Sequence, residues 1–333
     1  MRPALSNTRG EHDLIAAIRA RLPENPAWLA IGIGDDAAVV EPPRGALEIL
    51  TTDAIVEGIH FDRRFSSARD IGWKALAVNL SDIAAMGGTP RLALLSLGLP
   101  ADFSKTDTDG LLDGFLALAT EARVTLAGGN ITRSPGPLLV DVTAMGFARR
   151  RHILTRAGAK PGDDVFVTGD IGAATAGLSW LRAGTTDDGT MNGCADRHRR
   201  PLPRVRIGTI LGRNRAATAC MDLSDGLADA ARQVAAASGV GMRLDASALP
   251  ISDAARNWFA HSGVDPVDAA CAGGDDYELL FTVPRRRRGR LATVTRQSQG
   301  IPVTRIGVVT AEPDVLLVAG DHVRPLPEGF AHF

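Results

Sequence analysis

Tyrosine occurs once in the 333 residues, cysteine three times, and aromatic side chains make up only 5% of the chain. Cys194, Cys220 and Cys271 are odd in number and far apart. That speaks against a disulfide framework or a Cys-rich zinc site, and it makes a reducing cytoplasm the expected home. Nowhere do 18 apolar residues run together, so no membrane-spanning helix is expected. The opening Met1-Arg2-Pro3-Ala4-Leu5-Ser6-Asn7 leads into no apolar core, so no secretory signal is expected either. An excess of one charge is also missing: 37 Lys and Arg face 38 Asp and Glu, a formal charge of −1. No global basic field draws the chain to nucleic acid or to an anionic membrane, and neither is an expected partner.

Several catalytic signatures are absent too. There is no Gly-Lys pair and hence no Walker A loop, and no His-Arg-Asp of a protein kinase. Seven scattered histidines show no metal spacing, and no serine sits in a Gly-x-Ser-x-Gly elbow. Nucleophilic triads and zinc hydrolysis are therefore unsupported.

What is present is an ordinary globular composition, 45% hydrophobic and 23% charged, over a length that predicts about two domains. Leu14, Ile15, Ile18 and Leu22 space a short helix that Pro23 stops. Residues 31–40 and 46–52 read as strands. Trp73, Leu76, Ala77, Leu80, Ile83 and Ala84 form the apolar stripe of a clear helix, with Asn79 and Asp82 on a neighbouring stripe. Strands are expected at 92–99, 138–148, 165–168, 279–283, 303–309 and 315–318, and helices at 110–123, 172–183 and 226–238. Gly184 to Arg200 reads as a polar loop. The alternation predicts an α/β (α+β) class, with a boundary in the basic, Gly- and Pro-bearing stretch after Arg149. Domains of 1–150 and 151–333 follow. Asn79-Leu80-Ser81-Asp82 is echoed by Asp222-Leu223-Ser224-Asp225, a hint of internal duplication.

Acidic residues beside glycine or hydroxyl residues recur in five places: Gly34-Asp35-Asp36, Thr51-Thr52-Asp53, Ser81-Asp82, Asp222 to Gly226, and Gly273-Gly274-Asp275-Asp276. Turn chemistry explains any one of them. Together, gathered at strand ends, the carboxylates would repel one another unless cations sit between them. Hard oxygen donors of this kind suit Mg²⁺ and, through it, a polyphosphate. Gly32-Ile33-Gly34-Asp35-Asp36-Ala37 fits a loose dinucleotide fingerprint, but Ala38-Val39-Val40 and Pro42-Pro43 leave no room for the helix it must open. Gly128-Gly129-Asn130 reads as a glycine turn that lets a backbone approach phosphate. Arg285 to Arg290 follows a strand and Pro284, contains no aromatic residue for base stacking and reads as a solvated strand-to-helix loop, whereas Arg156 is suited to hold an anion.

Taken in order, these blocks resemble the thiamine-monophosphate kinase family of the aminoimidazole ribonucleotide synthetase-like superfamily. The matching blocks are Gly10-Glu11, Gly34-Asp35-Asp36, Thr51-Thr52-Asp53 and Gly58-Ile59-His60-Phe61. They continue through Lys74 to Gly87, Leu154-Thr155-Arg156, Gly158 to Asp163, Asp222 to Leu227, Gly273 to Leu279 and His332-Phe333. The resemblance implies ATP-dependent phosphorylation of thiamine monophosphate to thiamine diphosphate. It also implies a two-domain fold, several Mg²⁺ ions, and a homodimer whose N-terminal sheets pair with active sites near that interface. By position, Asp36, Thr51, Thr52, Asp53, Asp82, Asp222 and Asp225 would hold Mg²⁺. Gly129, Asn130, Arg156 and Ser224 would contact ATP, and His60, Asp275 and Phe330 the thiamine substrate.

Three positions depart from the family pattern. Asn130 stands where the family often has Asp, leaving a neutral donor as the expected metal ligand. Asp275 stands where Glu is common, and Phe330 is the tail aromatic left to cover the thiamine ring. Two alternatives accompany this reading: another ATP-using enzyme of the superfamily, or a non-catalytic nucleotide or thiamine-phosphate binding protein. The first cysteine comes only at Cys194 and the chain closes on Ala331-His332-Phe333, which argues against the selenophosphate and hydrogenase-maturation members.

Overall fold

A computed structural model describes residues 11–186 and 189–329. The chain divides into two compact units, one of residues up to Asn79 with Pro90–Gly146, the other of Leu80–Thr89 with residues from Phe147 onward. Both mix helices and sheet, the α/β (α+β) class predicted from sequence. Among the described residues no helix is long and apolar enough to cross a membrane.

The first unit opens with α1 (Glu11–Arg19) and the short antiparallel pair β1 (Leu29–Ile31) and β2 (Val39–Val40). The single strand expected over 31–40 is broken in its middle. Gly34 takes φ +120°, a conformation that suits glycine, and the chain turns there through Asp35 and Asp36. No helix opens at this glycine motif, as its rejection as a dinucleotide site requires. There follow β3 (Leu47–Val56), α2 (Ala68–Ala85), β4 (Thr89–Leu99), α3 (Lys105–Ala122), β5 (Thr125–Arg133) and β6 (Leu139–Ala148). The sheet order is β3-β6-β4-β5, with β4 and β5 parallel.

Gly128-Gly129-Asn130 is not a turn but the middle of β5. Gly129 pairs with Leu95, and a Cβ there would lie 1.9 Å from the Leu95 carbonyl oxygen. The expected apolar stripe of α2 understates its burial: Lys74, Asn79 and Ser81 are buried beside Ile71, Leu76, Leu80 and Ile83. Helices α2 and α3 cross at two glycines. A Cβ on Gly72 would lie 1.8 Å from the Leu111 carbonyl oxygen, and one on Gly114 1.8 Å from that of Arg69.

The second unit contains β7 (Asp164–Thr168), α4 (Ala173–Ala183), α5 (Asn192–Arg199), α6 (Val205–Arg213), β8 (Ala219–Asp222), α7 (Leu227–Ser238) and β9 (Gly241–Asp245). It continues with α8 (Asp253–His261), α9 (Pro266–Ala272), β10 (Leu279–Val283), α10 (Arg288–Arg296), β11 (Val303–Thr310), β12 (Val315–Ala319) and β13 (His322–Pro325). Seven strands form one sheet in the order β13-β12-β9-β11-β7-β10-β8. Only β12 and β9 run parallel; the other neighbours are antiparallel.

Two readings of this half are corrected and one is refined. The polar stretch Gly184–Arg200 contains α5, whose Cys194, Ala195 and His198 are buried. Arg285 to Arg290 is the exposed connection from β10 into α10, as expected, built as a 3₁₀ turn, and its Arg288 joins Arg305 in donating to the buried Asp164. Burial alone would raise the Asp164 carboxyl, but these two guanidinium partners outweigh it and hold it below the ordinary aspartate range. The Asn79–Asp82 and Asp222–Asp225 echo is helix in one case and strand end with turn in the other, so it marks no structural repeat.

The crossing of α2 and α3 gives a sign-reversing test. Gly114→Ala should lower stability by about 1–3 kcal/mol through overpacking. Gly110→Ala, on the same helix but with only ordinary contacts to Ala68 and Arg69, should raise it by about 0.5–1 kcal/mol through helix propensity. Urea midpoints followed by circular dichroism check this, and two shifts of the same sign would contradict the crossing.

Candidate functional site

In the second unit the acidic motifs meet because of strand pairing. β8 runs antiparallel to β10 with Asp222 opposite Leu279, so the exit of β8 lies beside the entry of β10. Four motif residues are thereby brought together: Asp222, Ser224, Asp225 and Asp275. The backbone joins the two loops directly. Asp275 N–H donates to the Ser224 carbonyl at 2.8 Å, Tyr277 N–H to that of Leu223 at 3.1 Å, and Leu223 N–H to that of Glu278 at 2.8 Å. Glycine is required on both sides: a Cβ on Gly226 would lie 2.5 Å from the Gly273 oxygen, and one on Gly274 2.5 Å from the Ser224 oxygen.

Asp222 is buried and accepts from the Ser81 hydroxyl at 2.7 Å. Asp82, next to Ser81 near the end of α2, is half-buried, as is Asp225. Arg156 is exposed, and its guanidinium donates to Gln233 on α7.

Beneath the Asp275 loop lies a polar layer that sequence reasoning did not single out. Glu278 is fully buried and accepts from Thr168, Arg197 and Arg204. An unpaired carboxylate there would cost several kcal/mol, and two guanidinium groups and a hydroxyl satisfy it. Asp276 turns inward and accepts from the N–H groups of Gly172 and Ala174 at the start of α4. Burial pushes its carboxyl up to about 7, against those hydrogen bonds and the charge of Arg197. The signal that could have found this layer was the run of Arg197, His198, Arg199, Arg200 and Arg204, too basic for an arbitrary loop.

In the first unit, Thr51 and Asp53 share one face of β3, and strand alternation puts Thr52 on the other. The Thr52 hydroxyl lies 3.2 Å from that of Thr143 and donates to Asp141 at 3.3 Å. Asp36 occupies the exposed turn after Gly34, its N–H donating to Asp35. Gly129 and Asn130 are exposed on β5, the edge of the sheet opposite β3, so β6 and β4 separate them from Thr51–Asp53.

His60 is held on two sides. Its Nδ1 accepts from the Val56 N–H at 3.1 Å, which places the ring proton on Nε2. Its carbonyl accepts at 2.9 Å from the ammonium of the buried Lys74. Phe330 and the terminal His332-Phe333 lie outside the described residues, as do Gly10, Asp187 and Asp188.

Among the described residues no three His, Cys, Asp or Glu side chains converge as a ready-made metal cage. In each unit the donors are oxygen, Asp carboxylates and Thr hydroxyls in the first and Asp carboxylates in the second, a chemistry that fits Mg²⁺. That ion keeps several waters and is bound through one or two carboxylates and substrate phosphates, in place of an all-protein cage.

Comparison with known proteins identifies the family. Residues 34–148 match the family of AIR synthase related proteins in its N-terminal domain, and residues 160–319 match its C-terminal domain. The thiamine-monophosphate kinase of Escherichia coli (strain K12) is 38% identical over 97% of this chain and 98% of its own length. That of Bacillus subtilis (strain 168) is 38% identical, covering 97% and 99%. Among solved structures, the thiamine-monophosphate kinase of Stenotrophomonas maltophilia K279a superposes with a TM-score of 0.81 at 38% identity, covering 92% of this chain and 94% of that one. A structure described as AaThiL complexed with AMPPCP and TMP superposes with a TM-score of 0.77 at 33% identity, covering 97% of each. The hydrogenase maturation protein HypE in complex with ATP reaches a TM-score of 0.80 at 20% identity, covering 97% of this chain and 96% of its own, and it shares the fold alone. The chain belongs to the thiamine-monophosphate kinase family.

Proposed function

We propose that this chain transfers the γ-phosphoryl group of ATP to the phosphate of thiamine monophosphate, yielding thiamine diphosphate and ADP. The observation that carries this reading is the junction of the Asp222–Asp225 turn with the Asp275 loop. It lies in a chain similar along its length to thiamine-monophosphate kinases.

The chemistry suits the side chains. A phosphate monoester has a second pKa near about 6, so its attacking oxygen is largely anionic at neutral pH and needs no strong base. The new bond joins that oxygen to the γ-phosphorus. The bond from the γ-phosphorus to the bridging oxygen breaks, and ADP leaves with its electron pair. Alignment and charge neutralisation supply the catalysis, with no phosphorylated side chain. Asp36, Thr51, Asp53, Asp82, Asp222 and Asp225 would hold Mg²⁺, more than one ion; Thr52, on the other face of β3, and Asn130, on the other edge of the sheet, would be neutral donors apart from Thr51 and Asp53. Bound Mg²⁺ supplies the positive charge that a polyphosphate needs. Gly129, Asn130, Arg156 and Ser224 contact ATP. His60 offers Nε2–H and Asp275 a carboxylate to the cationic thiamine substrate, which Phe330 covers.

Residues 1–150 form the ATP- and Mg²⁺-binding, dimer-forming domain, and 151–333 complete the nucleotide and substrate site. The homodimer reading is supported by β3, an edge strand that leaves Leu50 64% exposed. Cys194, Cys220 and Cys271 are buried free thiols, and burial pushes Cys271 up to about 12. Such inert thiols suit the cytoplasm.

Three outcomes are expected. Asp222→Asn or Asp225→Asn lowers kcat/KM by about 100-fold or more while the circular dichroism spectrum stays native. A near-normal rate would remove these residues from the site. Chelating Mg²⁺ abolishes thiamine diphosphate formation and adding it back restores it, so turnover in excess chelator would refute the metal reading. Leu50→Lys converts a dimer to a monomer by light scattering, and an unchanged mass would move the interface elsewhere.

A further inference from the structure

Asp275 sits in an unusual stretch of backbone. Among the described residues only five that are not glycine have positive φ, and two of them, Asp275 at +67° and Tyr277 at +50°, fall within three residues. Such conformations cost about 1–3 kcal/mol each and persist where the surroundings over-determine them. Here the surroundings are identifiable. The Asp275 N–H is bound to the Ser224 carbonyl, and Tyr277 Oη donates to Asp275 Oδ1 at 3.2 Å.

The remaining carboxylate oxygen faces α5. His198 Nδ1 stands 3.1 Å from Asp275 Oδ2, and the imidazole is only 2% exposed while the carboxylate is 26% exposed. One partner is thus sunk in the unit and the other reaches out. The helix that carries His198 is itself fixed. It crosses α4 so closely that a Cβ on Gly177 would lie 2.1 Å from the Cys194 carbonyl oxygen. The preceding residue, Arg197, donates to the Asp276 carbonyl at 3.2 Å and to Glu278. Two consecutive residues of α5 therefore hold three of the four residues 275–278.

We propose that His198 is a positioning residue: its imidazole fixes the orientation of the Asp275 carboxylate and so sets the affinity for the thiamine substrate without touching it. That role presupposes the reading of Asp275 as a substrate contact. It matters in this chain because an aspartate carboxylate has one fewer torsion and a shorter reach than glutamate, so a contact made by it depends more on where its base is held. The 3.1 Å contact acts through geometry, as residues that orient a ligating group do.

The test is a double-mutant cycle with full kinetics on the intact chain, using thiamine monophosphate and ATP as the varied substrates. Asp275→Ala should raise KM for thiamine monophosphate. His198→Ala should raise it about tenfold, leaving KM for ATP and kcat within about threefold of the parent. His198→Asn, which keeps a polar atom near the Nδ1 position, should recover most of the loss. In the Asp275→Ala background His198→Ala should add no further increase.

Equal effects in the two backgrounds, or an unchanged KM for thiamine monophosphate in both His198 variants, would overturn the positioning role. So would a loss shared by both substrates that tracks a fall in melting temperature and is not rescued by asparagine. An Asp275→Ala variant with unchanged KM would instead sink the reading of Asp275 as substrate contact. A parent chain without thiamine diphosphate formation would sink the kinase reading itself. Should His198→Ala fail to fold, His198→Phe decides the matter: it keeps a ring in the buried position but offers Asp275 no polar atom, so it should raise KM for thiamine monophosphate alone, and an unchanged KM would overturn the positioning role.

Discussion

Antiparallel pairing of β8 with β10 decides what the carboxylate at the end of β8 meets. Asp222 lies opposite Leu279, and that register sets the turn after β8 against the loop before β10, although α7, β9, α8 and α9 separate them in sequence. The loops then touch backbone to backbone, which is why glycines accompany the acids. Gly226 and Gly274 are there for packing, since a Cβ on either would strike a carbonyl oxygen of the other loop. A slip of this pairing by one residue would turn every side chain of β8 to the other face and carry Asp222 away from Ser81.

Concentrating acids in one place has an electrostatic cost, and the chain divides it. Glu278 and Asp276, which face inward, are neutralised or satisfied by Arg197, Arg204, Thr168 and the N–H groups of α4. In the proposed reading Asp222, Asp225 and Asp275 serve cations and substrate. On the loop before β10, Asp276 and Glu278 face inward while Asp275 reaches out. In the first unit the buried Lys74 donates to the His60 carbonyl, and the His60 ring accepts from the Val56 N–H.

Much of this was legible in the sequence because acids beside glycines leave a local trace. The strands at 92–99, 138–148, 165–168 and 279–283 were visible as apolar runs, and the absence of a helix after Gly34 followed from Pro42-Pro43. What was not legible depends on distant partners. Nothing local in Gly128-Gly129-Asn130 tells a turn from a strand; the Leu95 carbonyl that demands a glycine comes from β4. Helix α5 looks like a polar loop because its buried face is only Cys194, Ala195 and His198, and its Arg197 is recruited by Glu278, which lies far along the chain. The metal-ligand set suggested by position likewise divides once strands are paired. Thr52 takes the opposite face from Thr51 and Asp53, and Asn130 the opposite edge of the sheet.

The central claim is that these oxygen donors serve transfer from one phosphate to another and nothing more. Single-turnover quench with ATP labelled at its γ-phosphate, thiamine monophosphate and Mg²⁺ tests it most directly. The label should pass into thiamine diphosphate in step with ADP formation, with none on the protein at any time. Label trapped on the protein, or released as inorganic phosphate with no thiamine diphosphate formed, would contradict the account.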